Sequence, residues 1–235
     1  MSIFFRCFLL VLVLICGSIL GIAQSTIFNI PSTDVLSENT FYIEGDVIVH
    51  FDKYQNGGFQ TLGYRGVYGV TKKLEAGANI FYTRTGDGTP LEIQPNLKYK
   101  VYENEEHRIG VSLGTQIFVP LNKAAGNKTY GMIYANASKV IEQTNGTRIT
   151  GGIYQMIGVD KNFGTKTGAI VVLEQPIKGR LTFAADWYSG KNRFGYSAAG
   201  LSYSFTKQQF LMVGYNFGNT GRGNNAFSAF YGITY

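Results

Sequence analysis

Apolar and polar residues alternate along most of the chain, and this period of two constrains the fold more than any other feature. In the stretch PLEIQPNLKYKVY, Leu91, Ile93 and Leu97 share one face, while Glu92 and Lys98 share the other. Successive side chains of a β-strand point to opposite faces of the sheet. The pattern therefore predicts strands with one apolar face and one polar face. No stretch after residue 23 shows a convincing helical period.

The alternating segments are numerous and evenly spaced. About twelve of them start near residues 40, 59, 74, 90, 107, 128, 147, 166, 180, 193, 209 and 224. Short polar connectors such as TKK and ENEE alternate with longer, glycine-rich ones such as DKYQNGG and GNTGRGN. Tight turns on one side and looser loops on the other are typical of a membrane meander closed into a barrel. Pro95 interrupts one segment, and we expect a β-bulge there, because proline cannot donate to a strand ladder.

Two architectures could bury twelve strands of this kind. A soluble sandwich turns the apolar faces inward, whereas a membrane barrel turns them toward lipid and the polar faces toward a lumen. Aromatic residues lie on the apolar face near strand ends, as in the girdles of membrane barrels. These residues are Phe41, Tyr82, Tyr99, Trp187 and Tyr203. The sequence therefore favours an all-β fold, an antiparallel up-and-down transmembrane β-barrel of about 12 strands at residues 40–235.

The first stretch of the chain has the pattern of an export signal. Arg6 is its one charge, an apolar run follows, and small residues precede a cleavage position near Ala23. The alternatives are a transmembrane anchor, for which the run is short, and a lipoprotein anchor on Cys16. We expect a signal peptide at 1–23, then a short periplasmic segment at 24–39.

Charge and cysteine content limit the cellular compartments and the binding partners that the sequence allows. The chain has a formal net charge of +6 without a basic run, so nucleic acid is not an expected partner. Its two cysteines, Cys7 and Cys16, both lie in the leader. An exported chain whose mature part lacks cysteine is common among bacterial proteins. We expect localisation in the bacterial outer membrane, with its lipid as a partner.

The last ten residues, AFSAFYGITY, are apolar or aromatic at every second position and end on an aromatic residue. This resembles the C-terminal signal of bacterial outer-membrane β-barrel proteins, a porin-like group. The resemblance implies that the barrel assembly machinery reads the last strand and that this strand closes the barrel. The residues that carry it are Phe227, Tyr231, Ile233 and Tyr235.

Signals for chemistry are weak. His50 and His107 are the only histidines, and no cluster has metal-ligand spacing. A barrel phospholipase would need a paired histidine and serine on its outer surface, and no such motif is present. His50 remains the best candidate for an embedded enzyme. We expect no catalytic residues, no metal and no cofactor.

The predicted lumen face carries six acids and six bases. In a narrow barrel such residues must pair or stay hydrated. One interpretation is a pore for passive diffusion of small solutes, and the alternative is a closed structural or adhesion barrel held rigid by salt bridges. The balanced signs argue against an acidic-oligosaccharide channel. The set comprises Glu44, Asp46, Arg65, Glu75, Glu92, Lys98, Lys100, Arg108, Arg148, Glu174, Arg180 and Asp186.

Overall fold

Twelve antiparallel strands close into one barrel. The computed structural model describes residues 26–221 and 225–235, so the signal peptide expected at residues 1–23 lies outside the described residues. Each barrel strand pairs with its neighbours in sequence, and the last strand pairs with the first. The predicted all-β class, the closed up-and-down topology and the count of twelve strands are confirmed.

The strands are numbered in chain order. Two short strands, β1 (Thr26–Ile27) and β2 (Ile30–Pro31), form a separate hairpin that precedes the barrel. The barrel strands are β3 (Phe41–His50), β4 (Phe59–Thr71), β5 (Leu74–Arg84), β6 (Leu91–Asn104), β7 (Ile109–Pro120), β8 (Tyr130–Ile141), β9 (Thr147–Ile157), β10 (Thr167–Lys178), β11 (Leu181–Tyr188), β12 (Tyr196–Ser204), β13 (Gln209–Gly218) and β14 (Ala226–Thr234). Each begins within three residues of the start that the alternation predicts.

The two ends of the barrel differ in the length of their connections. At the turn end, which carries the C-terminus, connections of two to five residues join the strands, as at 72–73 and 142–146. At the loop end they are longer, as at 121–129 and 189–195. Single turns of 3-10 helix lie at both ends, at Tyr54–Asn56, Lys123–Ala125, Glu142–Thr144 and Lys161–Phe163.

The two faces of the strands divide as the alternation predicts. Large apolar side chains on the outer face are exposed, among them Ile153 at 64% and Tyr64 at 65%. The aromatic residues that the sequence placed on this face, from Phe41 to Tyr203, are all exposed. Inward residues are buried and include many polar and charged groups. An apolar exterior around a polar interior is the arrangement of a membrane barrel.

Pro95 is not at a β-bulge, contrary to the sequence expectation. It faces outward, pairs with Ala78 of β5, and the ladder of β6 with β7 keeps one register on either side of it. The missing proline donor leaves only a gap in that ladder. The irregularity of β6 instead lies between Lys100 and Tyr102, closer to the turn end.

The segment that precedes β3 lies inside the barrel. The sequence predicts a short periplasmic lead at 24–39, but residues 26–36 of this lead contact inward side chains of many strands. Ile27, Phe28 and Ile30 are 2% exposed or less. Removing these apolar side chains from water lowers the free energy of the protein. The buried position in the lumen is therefore more favourable than exposure in the periplasm. We call residues 26–36 the plug segment.

Candidate functional site: a plugged lumen

The tip of the plug segment is anchored by an aromatic ring. Phe28, in the turn between β1 and β2, has a positive φ of 43° and meets the ring of Phe230 edge-on, with centroids 6.0 Å apart. A Cβ at Gly214 would stand 2.3 Å from the Phe28 ring, so only glycine leaves room for it there. The barrel wall is therefore shaped to receive this side chain.

Backbone groups of the hairpin turn are matched by charged residues of the wall. The Asp186 carboxylate accepts the backbone N–H groups of Asn29, at 3.3 Å, and of Ile30. On another side Arg65 Nη1 donates to the Thr26 hydroxyl at 3.2 Å. A turn enclosed in a barrel cannot reach bulk water, so these contacts satisfy groups that would otherwise be costly to bury.

A second set of polar contacts holds the middle of the plug segment against β8 and β9. Asn136 Nδ2 donates to the Pro31 carbonyl at 2.7 Å, and the Thr33 and Ser138 hydroxyl oxygens are 2.5 Å apart. The Arg148 guanidinium donates to Thr33 at 2.6 Å and forms an ion pair with Asp34.

The positive charges around Asp34 together outweigh the effect of its burial. Burial alone would raise the pKa of this carboxyl, but the charge and hydrogen bond of Arg148, with the charges of Lys98 and Lys100, lower the pKa below its ordinary value. Asp34 therefore stays ionised through the neutral and mildly acidic range.

The plug segment leaves the lumen at the turn end. The Leu36 N–H donates to Glu75 Oε2 at 2.8 Å, and Glu75 forms an ion pair with Lys98 at 2.9 Å. The Asn39 N–H then donates to the Gly69 carbonyl at 2.9 Å. A Cβ at Gly69 would lie 2.0 Å from the backbone of the exiting chain, so this glycine makes the passage possible.

Arg65 is the centre of a charge cluster on β3 and β4. Its Nε lies 2.6 Å from Asp46 and 3.0 Å from Glu44, and all three side chains are almost completely buried. The Tyr42 hydroxyl donates to Glu44 in turn. A buried charge is tolerated only with partners of this kind.

The loop end is bridged by Arg193. This residue belongs to the loop between β11 and β12, and β12 lies opposite β6 in the ring of strands. Its two terminal nitrogens each lie 3.0 Å from a different oxygen of Glu92, on β6. The guanidinium also covers the rings of Phe194 and Phe118, at 5.0 and 5.5 Å. Arg193 thus spans the mouth of the lumen, and we call its pair with Glu92 the latch.

A cavity of about 260 Å³ lies between the plug segment and the latch. Thr26, Asn29 and Pro31 of the plug segment line one end, and Arg193 and Phe194 line the other. Inward side chains of the barrel strands line its walls. The lumen is therefore a compartment with a floor, a wall and a partial roof.

Ten of the twelve charged residues that the sequence placed in the lumen lie on the inner face. The structure brings several together, as the pairs of Arg65 with Glu44 and Asp46, Lys98 with Glu75, and Arg148 with Glu174. Four of the residues also contact the plug segment, namely Arg65, Glu75, Arg148 and Asp186.

Arg108 and Arg180 are not in the lumen, contrary to the sequence prediction. Both lie in turns at the turn end, where the alternation of a strand no longer applies. Arg108 has a positive φ of 48° and pairs with Glu142 at 3.3 Å, and the Arg180 guanidinium donates to the Phe205 carbonyl. Glu92 is paired with Arg193, which sequence reasoning missed because a loop residue carries no periodic signal.

The C-terminal residues lie at the seam of the barrel. Phe227, Tyr231 and Tyr235 are exposed on the outer face at 37%, 41% and 56%, and Ile233 pairs with Ile43. The Tyr235 N–H donates to the Phe41 carbonyl at 2.7 Å, and the Phe41 N–H donates back at 3.0 Å. The last strand therefore closes the ring, as the sequence predicts.

Signs of a metal site or of a helical anchor are missing within residues 26–221 and 225–235. No group of three or more His, Cys, Asp or Glu in these ranges could hold a metal ion. No helix in these ranges is long and apolar enough to cross a membrane. His50 contacts the Asn225 carbonyl through Nδ1 and stacks on Phe59 at 5.8 Å.

Comparison with known proteins gives similarity at the level of fold. An outer membrane channel of the COG4313 group from Pseudomonas putida F1 aligns with 11% identity and a TM-score of 0.54, over 86% of this chain and 98% of that one. Outer membrane phospholipase A from Escherichia coli aligns with 12% identity and a TM-score of 0.47, over 83% and 92%. Omp33 from Acinetobacter baumannii aligns with 12% identity and a TM-score of 0.46, over 84% and 99%. No protein-family model and no curated protein sequence matches the chain.

The closed ring of twelve strands, its apolar exterior and its polar lumen define the class. The chain has the fold of the bacterial outer-membrane β-barrel proteins. A likeness at 11% identity shows the fold alone, so the function must be argued from the lumen of this chain.

Proposed function

We propose that this protein is a channel-type barrel of the bacterial outer membrane that passes small solutes when its plug segment moves. The exposed apolar band of the outer face supports placement in lipid. The aromatic C-terminal strand supports delivery by the barrel assembly machinery. We propose no catalytic role and no cofactor.

One observation carries the proposal. In the described part of the chain, the strands of the plug segment pair only with each other and share no ladder with the barrel. Barrel strands, in contrast, are joined on both edges. The plug segment can therefore leave the lumen at the cost of side-chain contacts and apolar burial, while every ladder of the barrel stays intact. A closure that can move without unfolding its frame is suited to a gate.

A disulfide between the plug segment and the wall tests this proposal. The Thr33 and Ser138 hydroxyls are 2.5 Å apart, so Thr33→Cys with Ser138→Cys places two sulfurs within bonding reach. Both native cysteines precede residue 24, so a mature chain that begins near Gln24 adds no competing thiol. In planar bilayers we expect the oxidised double variant to be silent and the reduced one to show discrete conductance steps.

Each single variant, Thr33→Cys and Ser138→Cys, is the matched control and should not respond to oxidant. A chain lacking residues 26–36 should conduct without any reductant. If this deleted chain folds, shifts in mobility on boiling and still stays silent, the lumen does not conduct.

That last result would favour the second candidate, a closed structural or adhesion barrel. The observation behind it is the density of contacts at both ends of the lumen, where Arg148, Glu75 and Asp186 hold the plug segment and Arg193 holds the latch. Such contacts would also be expected in a barrel that is rigid for its own sake.

A further inference from the structure

The cavity above the plug segment has two chemically different walls. On four consecutive strands, β4 to β7, amide and hydroxyl side chains supply most of the first wall, with Phe59, Val67 and Phe81 among them. The amide and hydroxyl side chains are those of Thr61, Asn79, Thr83, Gln94, Asn96 and Gln116. Aromatic residues of β11, β12 and the loop between them, namely Tyr188, Phe194 and Tyr196, form the second wall. β5 and β6 stand opposite β11 and β12 in the ring of twelve, so the two walls face each other across the lumen.

The first wall is held in place by its own hydrogen bonds. Gln116 Nε2 donates to Gln94 Oε1, and Gln94 Nε2 donates to Glu92 at 2.6 Å. Asn96 Nδ2 lies 3.5 Å from Asn79 Oδ1. Each amide group has two donors and an acceptor with two lone pairs, so these contacts leave capacity for a ligand. On the floor, the buried Asn29 Nδ2 has no hydrogen-bond partner among the described residues.

The charges around the cavity are already compensated. Arg65 is held by Glu44 and Asp46, Lys98 by Glu75, and Arg193 by Glu92. A charged solute would have to displace one of these pairs, and displacing a buried partner is costly. The walls therefore favour an uncharged ligand.

We infer that the cavity is a binding site for a small, uncharged, hydroxylated solute of monosaccharide size, with hydroxyls on the amide wall and an apolar face on the aromatic wall. The inference rests on the proposed function in that it names the solute class of the same lumen. An apolar solute would leave the amide wall without hydrogen-bond partners. The free-energy penalty for these unpaired groups exceeds the stabilisation that the solute gains from the aromatic wall.

The size and the ring chemistry agree with this class. The volume of about 260 Å³ is many times the roughly 10–15 Å³ that a single buried water needs. It falls below the range of pockets for drug-sized ligands, about 300–1,000 Å³. Aromatic rings carry a negative face, which attracts the weakly positive C–H groups on the flat side of a sugar ring.

Three probes separate the ligand classes by calorimetric titration of the folded protein in detergent. They are D-glucose, its acid D-glucuronate, and toluene. We expect D-glucose to bind at least tenfold more tightly than either of the others. Equal or tighter binding of toluene would overturn the inference in favour of an apolar ligand, and tighter binding of D-glucuronate would overturn it in favour of an anion.

Variants of the two walls test the placement of the ligand. Gln116→Leu removes an amide from the first wall and should weaken glucose binding about tenfold, the effect of one or two hydrogen bonds. Tyr196→Leu removes a ring from the second wall and should weaken it by a similar factor. Gln60→Leu is the matched control, because Gln60 is on β4 but exposed on the outer face, and it should leave the affinity unchanged.

Each variant is first checked for the mobility shift on boiling, so that loss of fold is not mistaken for loss of binding. Unchanged affinity in both folded wall variants would place the ligand elsewhere and overturn the inference.

The oxidised Thr33→Cys, Ser138→Cys protein tests the binding site and the channel separately. Glucose binding requires only the cavity, whereas conductance requires the plug segment to move. Glucose binding by a chain that never conducts would retain the site and reject the channel. Conductance through a chain that binds no glucose would retain the channel and reject the site.

Discussion

Arg148 and Asp34, 114 positions apart in sequence, form an ion pair that fastens the plug segment to β9. The same guanidinium reaches Thr33 at 2.6 Å and lies 3.7 Å from Glu174. One side chain of the barrel wall therefore contacts two successive residues of the plug segment. Loss of this pair should affect the plug segment and leave the ladders of the barrel intact.

We predict that Asp34→Asn loosens the plug segment. The substitution keeps the shape of the side chain but removes the charge, and a hydrogen bond to a charged group contributes about 1.5–3 kcal/mol. The fraction of time spent conducting in planar bilayers should rise by about tenfold or more. Asp160→Asn is the control, because the Lys128–Asp160 pair is exposed at the loop end. An equal response of both variants would contradict a specific role for Asp34.

The same pair predicts a pH dependence. The folded-state pKa of Asp34 is lowered, so its ion pair stabilises the closed state fully above the ordinary value near 3.8. This stabilisation is lost as the pH falls through the lowered pKa. The protein should stay closed from pH 7 to about pH 4 and open more often below that. Asp34→Asn should lack this acid-induced step, and a wild-type opening centred near pH 6 would assign the response to another group.

Phe28→Ala should release the tip of the plug segment. Truncation of a fully buried phenylalanine costs about 3–5 kcal/mol, and Phe28 is 1% exposed. We expect faster protease cleavage within residues 26–36, read by mass spectrometry, with an unchanged mobility shift on boiling. Phe51→Ala, at a ring that is 79% exposed, is the matched control.

Gly214→Ala offers an independent route to the same effect, because it leaves the plug segment unaltered and adds a methyl group 2.3 Å from the Phe28 ring. Gly45→Ala is its control, since a Cβ there meets nothing within 4 Å. Protease resistance in Gly214→Ala equal to that of Gly45→Ala would show that the Phe28 position is not essential for closure.

The latch predicts that substitution of Arg193 changes the rate of glucose exchange, whereas substitution of Arg108 does not. Arg193→Ala breaks the bridge to Glu92 at the loop end, so glucose should enter and leave the cavity faster, as measured by stopped-flow mixing. Glu92→Ala should have the same effect, and the double variant should add little to either one. Arg108→Ala should change nothing, because Arg108 pairs with the exposed Glu142 at the turn end. Additive effects of Arg193→Ala and Glu92→Ala would mean that the two residues act separately.

Deletion of residues 230–235 should prevent closure of the barrel. It removes six residues of the chain end, including the reciprocal backbone hydrogen bonds between Tyr235 and Phe41. An open edge has no hydrogen-bond partners in lipid, so the strand cannot remain unpaired there. The deleted chain should lose the mobility shift on boiling, whereas Tyr64→Ala, at an exposed ring in the middle of β4, should keep it. A normal shift after the deletion would contradict closure by the last strand.

The barrel could be predicted from the sequence because its information is periodic. Twelve stretches with a period of two fix the strands and their faces, and Glu44, Asp46 and Glu75 are buried as the alternation requires. The prediction fails where the period ends. Arg108 and Arg180 lie in turns, and Arg193 lies in a loop, so no neighbour of known orientation constrains them.

The plug segment could not be predicted for a related reason. Its two strands have only two residues each, and its fit depends on groups far apart in sequence, such as Asp186 and Arg148. Local propensity has no access to such contacts. The presence of both acidic and basic residues on the lumen face could be predicted from the sequence. It could not be predicted that some of these residues hold a segment of the same chain.

The plug segment is tied to the frame that it closes. The chain is fixed at Asn39, whose N–H donates to the Gly69 carbonyl, so thirteen described residues, 26–38, precede this tether. Fully extended, they reach about 43–47 Å, at about 3.3–3.6 Å per residue. A segment on so short a tether stays at an effective concentration in the millimolar range around its binding position in the lumen. Reclosure is then a first-order event whose rate does not depend on how many copies of the protein the membrane holds.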